Sequence, residues 1–193
     1  MSVSKSVTMA NIAAHLTNQP TFMAFELDKH VYANQLIPKQ LLAKKLTTVA
    51  YPMGKVTFTQ TALALADEFG APLLTVPVAD VTGVTVGIYQ TVVGDLGAIT
   101  PISTQYTLNL VVKTTMATYD LLNQDLTAVP ALLTWLAATP VAVTDPMQLR
   151  AQLDTADWTQ LDQQQVEQWA QGSAYATPWQ QLGAAAPTSK LAK

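Results

Sequence analysis

Residues 46–89 read LTTVAYPMGKVTFTQTALALADEFGAPLLTVPVADVTGVTVGIY, and this stretch decides the fold. Val56 and Phe58 alternate with Thr57 and Thr59, and Leu63 and Leu65 alternate with Ala62, Ala64 and Ala66. A period of two places alternate side chains on opposite faces of a strand. The spacing predicts a turn at Pro52-Met53-Gly54-Lys55 and a second at Glu68-Phe69-Gly70-Ala71-Pro72. Leu73 to Val78 and Val81 to Tyr89 are apolar and β-branched, with Gly83 and Gly87 as expected bulges or close-packing points.

The pattern continues downstream. A longer loop is expected over Gly94 to Thr104, followed by a hairpin from Tyr106–Lys113 and Met116–Leu121. Short strands at this spacing predict a barrel or sandwich rather than a parallel α/β sheet. A helix follows, capped by Asp125 or Thr127, with Pro130 in its first turn. Val129, Leu132, Leu133 and Leu136 form its apolar face beside Trp135. Leu126 to Thr144 is uncharged over 19 residues. Pro130, Pro140 and the flanking Asp125 and Asp145 make it a buried helix and loop rather than a membrane span.

Upstream, Met9, Ile12, Ala13 and Leu16 mark an amphipathic helix within residues 1–18. Phe25, Leu27 and Val31 alternate with Glu26, Asp28 and His30, broken by Lys29, which predicts a half-exposed strand. Residues 33–45 read as helix or loop. Beyond Pro140, residues 144–182 form a glutamine-rich helical extension. Asp145-Pro146-Met147-Gln148 reads as a capping box opening a short helix through Leu153. Asp162 and Gln165 repeat the spacing ahead of Val166, Trp169 and Ala170, with Gly172 as the stop. Residues 184–193 read as a frayed tail.

Composition bounds the chemistry. The chain has 193 residues, 49% hydrophobic and 12% charged, and no cysteine. Disulfides, thiolate catalysis and Cys-ligated zinc are excluded, and a reducing, cytoplasmic setting fits. No apolar leader is expected in the first 19 residues. Residues 1–66 carry six lysines against two acids, whereas residues 67–187 carry eleven acids against Lys113 and Arg150. That acidic body argues against nucleic-acid binding, which needs cations on phosphates.

The segments Gly54-Lys-Val-Thr-Phe-Thr59-Gln-Thr-Ala-Leu63-Ala-Leu65 and Leu74-Thr-Val-Pro-Val-Ala-Asp80-Val81-Thr-Gly-Val84, then the hairpin and helix, resemble the pleckstrin-homology-like and GRAM-type barrels, including bacterial versions. The likeness spans about residues 22–138. It implies an α+β fold: an antiparallel β-barrel capped by a C-terminal helix, here with a short N-terminal helix and a helical C-terminal extension. It also implies a cytoplasmic, non-catalytic binding or scaffolding module. In such barrels basic residues between the first strands bind anionic headgroups, which points to Lys39, Lys44 and Lys45 for an anionic lipid or acidic partner.

Other candidates come from the residues alone. Glu26, Asp28 and His30 at alternating strand positions form a polar cluster, read as a solvated face before a metal or acid–base site. Trp158, Trp169 and Trp179 in the extension either pack in cis or anchor a protein partner or a second copy. The sequence has no phosphate-cradling, zinc-protease or nucleophile-elbow motif, so no catalytic residue, cofactor or metal is assigned. A small enzyme with a site near His30, or an accessory subunit using its extension as an interface, are the alternative readings.

Overall fold

The computed structural model describes residues 21–34, 53–93 and 103–176. The helix expected within 1–18 and the tail at 184–193 lie outside these residues. The fold is α+β, with nine strands in one mixed sheet and two α-helices among the described residues.

The strands are β1 (Thr21–Leu27), β2 (His30–Tyr32), β3 (Met53–Phe58), β4 (Ala62–Asp67), β5 (Pro72–Pro77), β6 (Val81–Val93), β7 (Ser103–Thr114), β8 (Thr118–Asn123) and β9 (Val143–Thr144). Their order is β5-β4-β3-β1-β8-β7-β6-β9, with β2 also on β1. Two antiparallel meanders, β3-β4-β5 and β6-β7-β8, are joined through β1. The expected all-antiparallel, closed barrel needs correcting here. β1 runs parallel to both β3 and β8, and the sheet is open, with β5 and β9 at its edges. A tight hairpin forces antiparallel pairing, but the long connection from Tyr32 to Met53 frees β3 to run alongside β1.

Local chemistry sets the turns. Thr59-Gln-Thr-Ala62 and Thr114-Thr-Met-Ala117 close their hairpins identically. In each, the threonine N–H donates to the alanine carbonyl, and its hydroxyl donates to that carbonyl and accepts the alanine N–H. Asp67 closes the β4–β5 turn by accepting from the Phe69 and Ala71 amides at 2.9 and 2.8 Å. Gly70 supplies the positive φ of 85° in that turn. Met53, Gly54 and Lys55 belong to β3 rather than to the expected turn, because β1 pairs with them.

The inner sheet face is one continuous apolar surface. It includes Phe25, Val56, Leu65, Val86, Ile88, Leu108, Leu110 and Leu121, all buried. Helix α1 (Ala128–Ala138) lies against it, with Val129, Leu132, Leu133 and Leu136 all buried, the four residues its spacing selects. Each such side chain contributes about 1.5–3 kcal/mol of burial. Trp135 fixes the helix to the β3–β4 turn. Its ring meets Phe58 edge-on at 5.0 Å and its Nε1–H donates to the Thr59 carbonyl at 2.9 Å.

One side of β1 forks. It pairs β8 at Thr21–Phe22 and β2 at Phe25–Leu27. Asn123, fully buried at the end of β8, fills the fork: its Nδ2 donates to the carbonyls of Met23 and Tyr32, and its Oδ1 accepts from the Asp125 amide. A side chain there replaces the missing ladder partner, as buried carbonyls require.

Residues 141–176 cross back over the sheet. β9 adds two residues to the β6 edge, a 3-10 turn spans Leu149–Gln152, and α2 spans Gln163–Ala170. The helix expected from Asp145 is corrected to this 3-10 turn. Asp145 does cap, accepting from the Leu149 and Arg150 amides, but Gln148 takes a left-handed conformation that stops an α-helix from forming. Asp162 caps α2 through the Gln165 amide, and Gly172 ends the segment at a φ of 74°.

Candidate functional site

The expected polar cluster is divided by the backbone. Asp28 and Lys29 both have positive φ, the mark of a two-residue hairpin turn, so His30 begins a new strand opposite Leu27. Glu26 pairs with Val31 and lies on the opposite face from His30. Glu26 forms an ion pair with Lys55, and the exposed His30 ring packs edge-on against Tyr32 at 4.4 Å. The three do not converge, and no metal-competent group occurs among the described residues.

Of the tryptophans, Trp158 is only 8% exposed and lies 5.9 Å from the ring of the half-buried Trp169. Both pack into the chain's own core with Val166 and Ala170 of α2. Trp179 and the lysines Lys39, Lys44 and Lys45 lie outside the described residues. No helix among those residues is long and apolar enough to cross a membrane.

Two other arrangements carry chemistry. The first is the edge strand β5. The Val78 amide donates to the Thr61 carbonyl at 2.8 Å, and the register pairs Leu63 with Val76 and Leu65 with Leu74. Antiparallel alternation then turns the N–H and C=O of Thr75, between those pairs, away from β4. Leu73 is the extra residue of a bulge, and Pro72 and Pro77 end the strand. Beside this edge lies a crevice lined by Thr75, Pro77 and Asp80 on one side and by Thr114, Met116 and Tyr119 on the other. Met116, at its rim on the β7–β8 turn, is 92% exposed. An open backbone edge next to an exposed, flexible apolar side chain is chemically suited to hold an extended peptide.

The second is a polar network on the outer face of β6–β8. The Tyr175 hydroxyl donates to Asn109 Oδ1 at 2.9 Å, and Asn109 Nδ2 donates to Asp120 Oδ1 and to the Leu121 carbonyl. Asn109 is fully buried. Burial raises the Asp120 carboxyl above its ordinary range, partly offset by the Asn109 hydrogen bond. Burial, with the nearby Tyr89, Asp120 and Asp145, raises the Tyr175 phenol strongly, so it remains a donor. Tyr175 reaches this position because Gly87 leaves room for its ring, which also meets Tyr89 at 4.9 Å.

Neither arrangement contains a residue that the sequence singles out as a candidate site. Gly87, expected as a close-packing point, does mark where Tyr175 lands. The rest leaves no local signal, because edge status depends on strand order and the network joins residues 66 positions apart. No protein-family model, curated protein or solved structure matches the chain.

Proposed function

We propose that the chain is a non-catalytic binding module with a pleckstrin-homology-like half-barrel, holding an extended segment of a partner protein along β5. The observation that carries this reading is the outward-facing backbone of Thr75 beside the crevice under Met116. Main-chain hydrogen bonds to Thr75 supply register, and the crevice takes one apolar side chain. Pro72 and Pro77 keep the pairing short and discourage open-ended strand stacking. The described residues hold twelve Asp and Glu side chains against Lys29, Lys55, Lys113 and Arg150. With Asp80 lining the crevice, a segment carrying basic residues suits this surface better than an anionic lipid does.

Peptide display against the full chain tests the reading. Selected peptides share an apolar residue flanked by Lys or Arg. They bind at least about tenfold more weakly to Thr75→Pro, which removes one outward N–H and no ladder bond, and to Met116→Asp. Failure to enrich any peptide, or equal binding by both variants, overturns the proposal.

A further inference from the structure

We propose that residues 141–176 form a strap that opens as a unit from the outer face and edge of β6 while the rest of the sheet stays folded. The geometry places several imperfect interactions at this boundary. The strap's ladder with β6 is short: Val143 and Thr144 face Val84 and Thr85, and the Ala142 carbonyl accepts from the Val84 amide at 2.8 Å. Past them the Ile88 amide finds a sulfur, Met147 Sδ at 3.1 Å, in place of a strand carbonyl. A thioether is a weak acceptor, so the edge there is covered without being fully paired.

Within the strap, Gln148 holds a φ of 54° that a side chain disfavours. The Trp158 Nε1–H is buried without an acceptor among the described residues. A buried unpaired donor is a cost that solvent relieves on opening. On the sheet side, the contact point is a glycine, and the chain that anchors Tyr175 ends on Asp120, a carboxylate that burial disfavours in its charged form.

Against these, Met147, Leu149, Val166, Ala170 and Tyr175 are all buried. The closed state is therefore the resting one. The sheet beneath is differently built: Leu108, Leu110, Val112 and Leu121 each have strand partners on both sides and side chains in the core. Elements with few ladder bonds and unsatisfied polar groups open below the global unfolding free energy. Opening uncovers the β6 edge around Val84 to Ile88 and the Gly87–Asn109 face, which is the side of the sheet opposite α1.

Amide-resolved hydrogen exchange on the full chain, at low guanidinium concentrations, tests this. The amides of Ile88, Leu149 and Ala170 should exchange together, about a hundredfold or more faster than those of Leu110 and Leu121. Tyr175→Ala should speed that shared exchange about tenfold and Gln148→Gly should slow it, with Leu110 shifting by the same factor because global unfolding also releases the strap. Val56→Ala, in the β3 core, should speed Leu110 exchange and leave the strap amides unchanged, because the sheet is intact in both the closed and the strap-open states. Two results overturn the proposal: strap amides that exchange only at the rate of Leu110, or a Val56→Ala variant in which the strap amides accelerate by the same factor as Leu110.

Discussion

The ring of Tyr175 rests directly on the backbone of Gly87: a β-carbon built at Gly87 would lie 2.2 Å from Tyr175 Cε2 and Cζ. No side chain fits between them. Gly87→Ala should therefore displace Tyr175 and lower stability by about 1–3 kcal/mol. In a Tyr175→Ala background the same change should cost much less, because the clash is gone. Thermal denaturation of the two single variants and the double variant checks this coupling; additive losses contradict it.

Tyr175→Phe keeps the ring and removes only the hydroxyl. The buried Asn109 Oδ1 then loses its donor, for a loss of about 1–3 kcal/mol. Denaturant midpoints at a constant m-value give the measurement.

Asp120 makes a pH-dependent contribution whose sign is fixed by its raised folded-state pKa. Folding favours its protonated form, so that contribution is complete below the unfolded carboxyl pKa and is lost as pH rises through the folded one. Asp120→Asn removes this loss. The difference in Tm between variant and wild type should move in the variant's favour from acid to neutral pH. A difference that does not change with pH contradicts the assignment.

Asn123 serves three backbone partners at the β1 fork. Asn123→Ala leaves two carbonyls and one amide unpaired, a loss of about 2–4 kcal/mol. Asn123→Asp should be worse at neutral pH, since a carboxylate cannot donate to the Met23 and Tyr32 carbonyls and carries charge into a buried site. Equal stability of the Asp variant and wild type would show that those two carbonyls do not need the amide.

How much of this is legible in the sequence depends on the range of the interactions. The α1 face, the β4–β5 turn, the β7–β8 hairpin and the Asp162 cap rest on contacts within a few residues, and their spacing alone marks them. The β1–β2 turn is hidden because Glu26, Asp28 and His30 stay two residues apart across it, and Lys29 is the single break in the alternation where the backbone reverses. Parallel pairing of β1 with β3 and β8 leaves no local trace, since register between distant strands is set by the whole sheet. Asn109 and Asn123 look like ordinary strand polar residues until the fold brings Tyr175 and Met23 to them.

The binding proposal rests most directly on one backbone amide. In the free chain the Thr75 N–H faces outward from an edge strand and should exchange with solvent faster than the Val76 N–H, which faces β4. Hydrogen exchange with and without a selected peptide is the decisive measurement. Selective protection of Thr75 on binding, with Val76 little changed, is the predicted result; a bound peptide that leaves Thr75 exchange unaltered contradicts strand addition at β5.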